Sequence, residues 1–146
     1  EETFAALNQL VAQGKVRHLG VSNFDLEQLK HAQALSETAL ATNQVPYSLS
    51  NRGYADNGVL AYCQAHDILL TAYTPFGHGS SLNNVNVTRL AAKYQATPAQ
   101  IALYWLIQQP NVISIPMTSR EAHLVSNLGA LQLELEPADL ELLDRA

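Results

Sequence analysis

Gly14-Lys15-Val16-Arg17-His18-Leu19-Gly20-Val21-Ser22-Asn23-Phe24 is the stretch on which the reading of this chain turns. Just before it, Phe4, Leu7, Leu10 and Val11 repeat at the three- and four-residue spacing of one helical face. Gly14 suits the end of that helix, because a residue without Cβ enters the left-handed region at little cost. Val16 to Val21 then reads as a buried strand, and Ser22-Asn23 ends it with a hydroxyl and an amide. The stretch is therefore a helix end, a strand and a polar tip.

The same unit recurs outward from it. Asp25, with Gln28 three residues on, predicts a capping box that opens a helix carrying Leu26, Leu29 and Leu35. Ala41 to Val45 predicts a short strand, followed by a loop through Asn51 and Gly53. Gly58 to Ala65 predicts a helix, Ile68 to Tyr73 a strand, and Pro75 to Ser81 a loop. Val87 to Tyr94 predicts a helix. Thr97-Pro98-Ala99-Gln100 supplies a cap, a first-turn proline and a capping-box partner for the next, which runs to about Gln108. Val112 to Ile115 predicts a strand. Thr118-Ser119-Arg120-Glu121 opens a helix ending near Gly129, and a last helix starts near Pro137. Strands alternating with helices indicate βαβ units and a parallel sheet. A parallel barrel and a doubly wound sheet both satisfy this pattern. The strands end in Ser22-Asn23, Gln44, Tyr73-Thr74 and Thr118-Ser119. The C-terminal edge of a parallel sheet is where ligands bind, although the same residue types also serve as ordinary caps and loops.

Composition narrows the function classes. The chain has 146 residues, 47% of them hydrophobic and 14% charged, which suits one globular domain with its own core. No apolar run approaches membrane-span length, so no membrane partner is expected. The formal net charge of −5 speaks against nucleic acid. The opening Glu1-Glu2-Thr3 is acidic where a secretory signal would be basic. The single Cys63 permits no internal disulfide, and a cytoplasmic location is the expectation. His18, His31 and His66 have no metal-ligand spacing, and no metal site is expected. Trp105, at helical spacing with Ile101, and Cys63 read as core. Glu134, Glu136, Asp139 and Glu141 read as a solvated face.

With its neighbours, the opening stretch resembles the aldo-keto reductase family where that family enters barrel strand five. Asn43-Gln44 with Pro46-Tyr47 resembles strand six, and Ala72-Tyr73-Thr74-Pro75-Phe76-Gly77 the segment after strand seven. Thr97 to Trp105 resembles the helix that follows. Ile115-Pro116 and Asn127-Leu128 match around strand eight. The resemblance spans essentially the whole chain with its motifs in order. It implies an α/β fold that is part of a (β/α)8 TIM barrel: strands five to eight with their helices, in one partial domain over residues 1–146. A complete barrel takes roughly 250 residues. The implied missing part is the N-terminal half, which holds the family's catalytic Asp, Tyr, Lys and His, so no catalytic residue is assigned here.

The implied function is NAD(P)H-dependent reduction of a small aldehyde or ketone to an alcohol, with this chain supplying the cofactor-binding half. Two alternatives stand beside it: a non-catalytic, cofactor-binding regulatory subunit, and a fragment inactive alone. The implied partners are a small carbonyl substrate and either the missing half-barrel or a second copy joined through open sheet edges. By the resemblance, Ser22, Asn23 and Gln44 hold the nicotinamide carboxamide and Tyr73 stacks on its ring. Thr74, Phe76 and Gly77 lie along the pyrophosphate. Met117, Thr118, Ser119, His123 and Asn127 surround the adenosine end. Ser22 lies in Gly-Val-Ser-Asn, not in a nucleophile elbow. Without any resemblance, Thr118, Ser119 and Arg120 at a helix start already form an anion site. Met117 stands where many members have Lys, His123 where many have Arg and Ser126 where many have Glu. The cofactor is therefore NADP or NAD, with less preference for NADP than those members show.

Overall fold

The computed structural model describes residues 1–145. Four strands form one parallel sheet in sequential order: β1 (Leu19–Ser22), β2 (Leu40–Pro46), β3 (Leu69–Tyr73) and β4 (Val112–Ser114). Parallel neighbours need a crossover. Helix α2 (Leu26–Leu35) supplies the first, α3 (Gly53–Asp56) and α4 (Val59–Ala65) the second, and α5 (Val85–Lys93) and α6 (Pro98–Ile107) the third. Helix α1 (Glu2–Ala12) precedes the sheet; α7 (Glu121–Leu128) and α8 (Pro137–Asp144) follow it. Among the described residues no helix is long and apolar enough to cross a membrane.

Both expected capping boxes form. Asp25 accepts from the Gln28 backbone while the Gln28 side chain accepts from Asp25, and Thr97 and Gln100 repeat the arrangement. Gly14 takes φ +68° just beyond α1. Strand β1 is shorter than expected. Its pairing starts at Leu19, because Gly14, Lys15 and Val16 close the end of α1 through bonds back to Val11 and Leu10. A one-turn helix, α3, replaces part of the expected loop near Gly53, and Gly58 itself caps α4 at φ +86°.

The helices cover one face of the sheet. Leu19, Leu40, Val45, Leu70, Ala72 and Val112 point into that layer and are buried. Helix α6 explains why the layer is dry: its residues Ile101 to Leu106 are all buried, so it is apolar around most of its girth. Alternation then sends Gly20, Ser22, Thr42, Gln44, Leu69, Thr71, Tyr73 and Ile113 to the opposite face. On that face Ser22 registers with Gln44, Gln44 with Thr71 and Thr71 with Ile113. Gly20 fits because a Cβ there would lie 2.7 Å from Thr42 Cγ2. Leu69, Ile113 and the following Ile115 remain about two-fifths exposed.

Two residues read as bland have structural work. Trp105 is core, as expected, but its indole N–H also donates to Asp144 at 2.8 Å, and the Arg52 guanidinium lies 4.7 Å from its ring centroid. Arg52 in turn donates to the carbonyls of Leu143 and Asp144, holding the C-terminal end of α8. Asp139 corrects the expectation of a solvated face. It is buried, accepting from Lys93 Nζ at 2.7 Å and Tyr94 Oη at 2.5 Å. Those two donors, the ammonium first, hold its carboxyl below the usual range. Cys63 is fully buried, and burial pushes its thiol up to about 11, so it has little thiolate at neutral pH.

Among the described residues strands β1 and β4 each pair on one side only; β4 carries the exposed Ile113 and is followed by Ile115, and its Ser114 shares a hollow with the exposed Leu124, Leu128 and Leu131. An apolar edge with free N–H and C=O groups is a template for association. The 146-residue chain expressed by itself is expected to form oligomers or aggregates in light scattering; a stable, cooperative monomer would contradict the open-edge argument.

Candidate functional site

The strand tips meet at the C-terminal edge of the sheet. Asn23 follows β1 at φ +60° and Thr74 follows β3 at φ +52°. A β-branched residue in the left-handed region is an outlier. Such strain, of order 1–3 kcal/mol, persists where the surroundings impose it, and it clusters at functional sites.

The polar groups at this edge are wired together. Ser22 Oγ donates to the Gln44 carbonyl at 2.9 Å, and the Asn23 backbone N–H donates to the same oxygen at 2.9 Å. Tyr73 Oη donates to Asn23 Oδ1 at 2.9 Å. The accounting leaves a defined remainder. Ser22 has spent its proton and keeps lone pairs. Asn23 has one oxygen occupied and keeps its two N–H donors. Gln44 is half-buried, and its side-chain amide makes no hydrogen bond among the described residues. Acceptor and donors side by side match an unsubstituted carboxamide.

Asn43 is the residue that sequence reasoning missed. It is fully buried. Its Nδ2 donates to the Phe24 carbonyl at 2.9 Å and its Oδ1 accepts from the Phe24 N–H at 3.4 Å. It thereby clasps the residue after Asn23 and gives both backbone groups of the half-buried Phe24 a partner. The available signal was an amide in a core-facing register between Leu40 and Val45.

Four clefts run along the edge. One of about 370 Å³ is lined by Thr74, Phe76, Ile115 and Met117 among others. The next, about 330 Å³, brings together Phe76, Met117, Thr118, His123, Ser126 and Asn127. Ser119 lies outside it, in an adjoining hollow with Thr118, Arg120 and Glu121. Met117 is 94% exposed. Gly77 borders a fourth cleft, of about 310 Å³, with Tyr73 and Thr74. Arg120 is the N-cap of α7, and its side chain makes no capping hydrogen bond. The Arg120 N–H itself donates to Thr118 Oγ1 at 3.1 Å. Among the described residues no group of three metal-ligating side chains exists.

This sheet, with its helices on one face, superposes on half of known barrels. The profile of the Aldo/keto reductase family matches residues 1–146. The chain belongs to the aldo/keto reductase family. It is 36% identical over 152 aligned residues to methylglyoxal reductase YeaE of Escherichia coli, covering all of this chain and 53% of the relative. It is 35% identical to pyridoxine 4-dehydrogenase of the same organism, covering 99% and 49%. Among solved structures, the thermostable aldo-keto reductase Tm1743 superposes with a TM-score of 0.93 at 35% identity, covering 99% of this chain and 53% of that one. An aldo-keto reductase from Klebsiella pneumoniae in complex with NADPH superposes with a TM-score of 0.87 at 35% identity, covering 99% and 52%. This aldo/keto reductase chain thus spans about half the length of the relatives it matches.

Asn43→Ala leaves the Phe24 N–H and C=O without partners inside the protein. It is expected to cost about 1–3 kcal/mol of stability, read by chemical denaturation; an unchanged midpoint would show that the turn after β1 does not depend on the clasp.

Proposed function

We propose that this chain is the C-terminal half of an aldo/keto reductase barrel and forms most of the nicotinamide-cofactor site of an NAD(P)H-dependent carbonyl reductase. The observation that carries the reading is the linked set Ser22, Asn23, Gln44 and Tyr73. It leaves one free hydroxyl acceptor, one free amide donor pair and one uncommitted amide at a single sheet edge, beside an aromatic ring. In this reading Ser22 accepts from the nicotinamide amide and Asn23 donates to its carbonyl. Gln44 supplies the remaining contact, and the Tyr73 ring covers one face of the nicotinamide. The hydrogen bond from Tyr73 to Asn23 fixes the ring's orientation before the cofactor arrives.

Thr74, Phe76 and Gly77 then lie along the pyrophosphate. Met117, Thr118, Ser119, His123 and Asn127 surround the adenosine end, which the run of clefts from Thr74 to Asn127 has room to take. The cofactor, NADP or NAD, supplies the hydride. Proton donation to the carbonyl oxygen falls to the other half of the barrel. The relatives named methylglyoxal reductase suggest a small aldehyde or ketone as substrate.

In the complete barrel, Tyr73→Ala is expected to weaken cofactor binding by about 1–2 kcal/mol, the scale of a lost aromatic contact, in a fluorescence-quenching titration. An unchanged dissociation constant would leave Tyr73 as packing only. Cofactor choice tests the adenosine end. Met117 carries no charge, and His123 takes the place of the permanently charged, forked guanidinium that many members hold there. The ratio of kcat/KM for NADPH over NADH is therefore expected to stay below about a thousandfold, roughly 4 kcal/mol; a larger ratio would show that Arg120 or another group grips the extra phosphate.

A further inference from the structure

We propose that Ser50 is a positioning residue whose hydroxyl clasps the loop after β3 and sets the rate at which the cofactor leaves. The inference rests on the cofactor reading above. It comes from a cluster of hydroxyls that the sequence did not single out. Ser48 and Ser50 lie in the loop after β2, Ser80 and Ser81 in the loop after β3. Ser50 Oγ is 2.7 Å from Ser80 Oγ, 3.0 Å from Ser81 Oγ and 3.3 Å from Ser48 Oγ.

Proton accounting makes Ser50 the node. Ser80 Oγ donates to the Gly77 carbonyl at 2.6 Å, so its single proton is committed and it accepts from Ser50. The proton of Ser50 is then spent, and the contacts with Ser81 and Ser48 are ones that Ser50 accepts. Ser48 and Ser81 are each 1% exposed, and Ser50 is their only hydrogen-bond partner for these hydroxyls among the described residues. The polar capacity of Ser50 is thus filled, and two of its three contacts join the loop after β2 to the loop after β3.

The joined segment is the one that matters. The other hydrogen bonds of residues 77–81 among the described residues stay within their own loop: Gly77 N–H to Thr74, Gly79 N–H to Phe76, Ser80 N–H to Gly77, Ser81 N–H to Phe76, Asn83 N–H to Ser80, Asn84 N–H to Ser81, and the Asn83 side-chain amide to Gly79. They shape the loop without fastening it to the β2 side. Gly77 sits at φ +53°, and a Cβ there would lie 2.1 Å from Ser50 Oγ. The approach is therefore as close as glycine permits. Thr74, Phe76 and Gly77, the proposed pyrophosphate neighbours, lie at the start of the same loop. A loop already fixed in its bound shape loses less entropy on binding and opens less often afterwards.

The test uses the complete barrel. Ser50→Ala is expected to speed cofactor release in stopped-flow fluorescence by about 3- to 10-fold, the net worth of one or two neutral hydrogen bonds. The KM for cofactor rises with it, while the KM for the carbonyl substrate stays in place. Ser50→Thr, which keeps the hydroxyl, restores the wild-type release rate. If Ser50→Ala fails to fold, Ser80→Ala cuts the same link at an exposed position and is expected to act alike. A lowered unfolding midpoint with an unchanged release rate would overturn the clasp and leave the cluster as structural. Cofactor titration of the unaltered complete barrel separates the two layers of inference. No binding there overturns the cofactor reading and the clasp together, whereas binding with unaltered release in both serine variants overturns the clasp alone.

Discussion

Everything at the functional edge depends on parallel pairing in step. Ser22, Gln44, Thr71 and Ile113 share one register row, and Pro46 registers with Tyr73 beyond it. Because the strands run the same way, their C-terminal tips emerge together, and residues far apart in the chain become neighbours without any long loop to gather them. The sequential strand order puts all the crossovers on one side of the sheet. Helix α6 and its neighbours keep one face dry, while alternation sends hydroxyls, amides and a few aliphatic side chains to the other.

The polar edge is held by groups that are themselves satisfied. Asn43 spends its whole amide on the backbone of Phe24, and Ser22 and the Asn23 N–H converge on the Gln44 carbonyl. Asn23, between these bonds, lies in the left-handed region at φ +60°. Thr74 adopts a left-handed conformation as well, just past the end of β3, where the loop folds back through Gly77. Strain at both positions is affordable because the dry layer beneath them is fully packed. In the proposed reading the same strain aims an amide and an aromatic ring at one ligand.

The half-length match to full barrels and the one-sided pairing of β1 and β4 agree with each other. A sheet of four parallel strands with helices on one face has its second face and both edges left over. In a closed barrel the second face becomes the interior and the edges disappear. The exposed Leu69, Ile113 and Ile115, together with Leu124, Leu128 and Leu131, are what such closure would cover. The half to which this chain corresponds is proposed from the order of its motifs and from the carboxamide-matched groups at its edge.

The sequence by itself determined the alternation of helices and strands, both capping boxes, the glycine end of α1 and the family. Each of these is written in local spacing: three- and four-residue periods, Asp or Thr followed by Gln, short motifs in order. It also named Ser22 and Tyr73 as strand ends, because a polar group ending an apolar run is visible in one dimension, but Gln44 lies inside β2 and Thr118-Ser119 lie beyond the end of β4. It misjudged what depends on neighbours distant in the chain. Asp139 looked solvated because its own helix is acidic, yet Lys93 and Tyr94 from another helix enclose it. Asn43 and Ser50 looked ordinary because a hydrogen bond to a distant loop leaves no periodicity. Only the tertiary structure decided which polar groups are already spent on the protein and which remain free for a ligand, since that depends on distances between segments that the chain order does not contain.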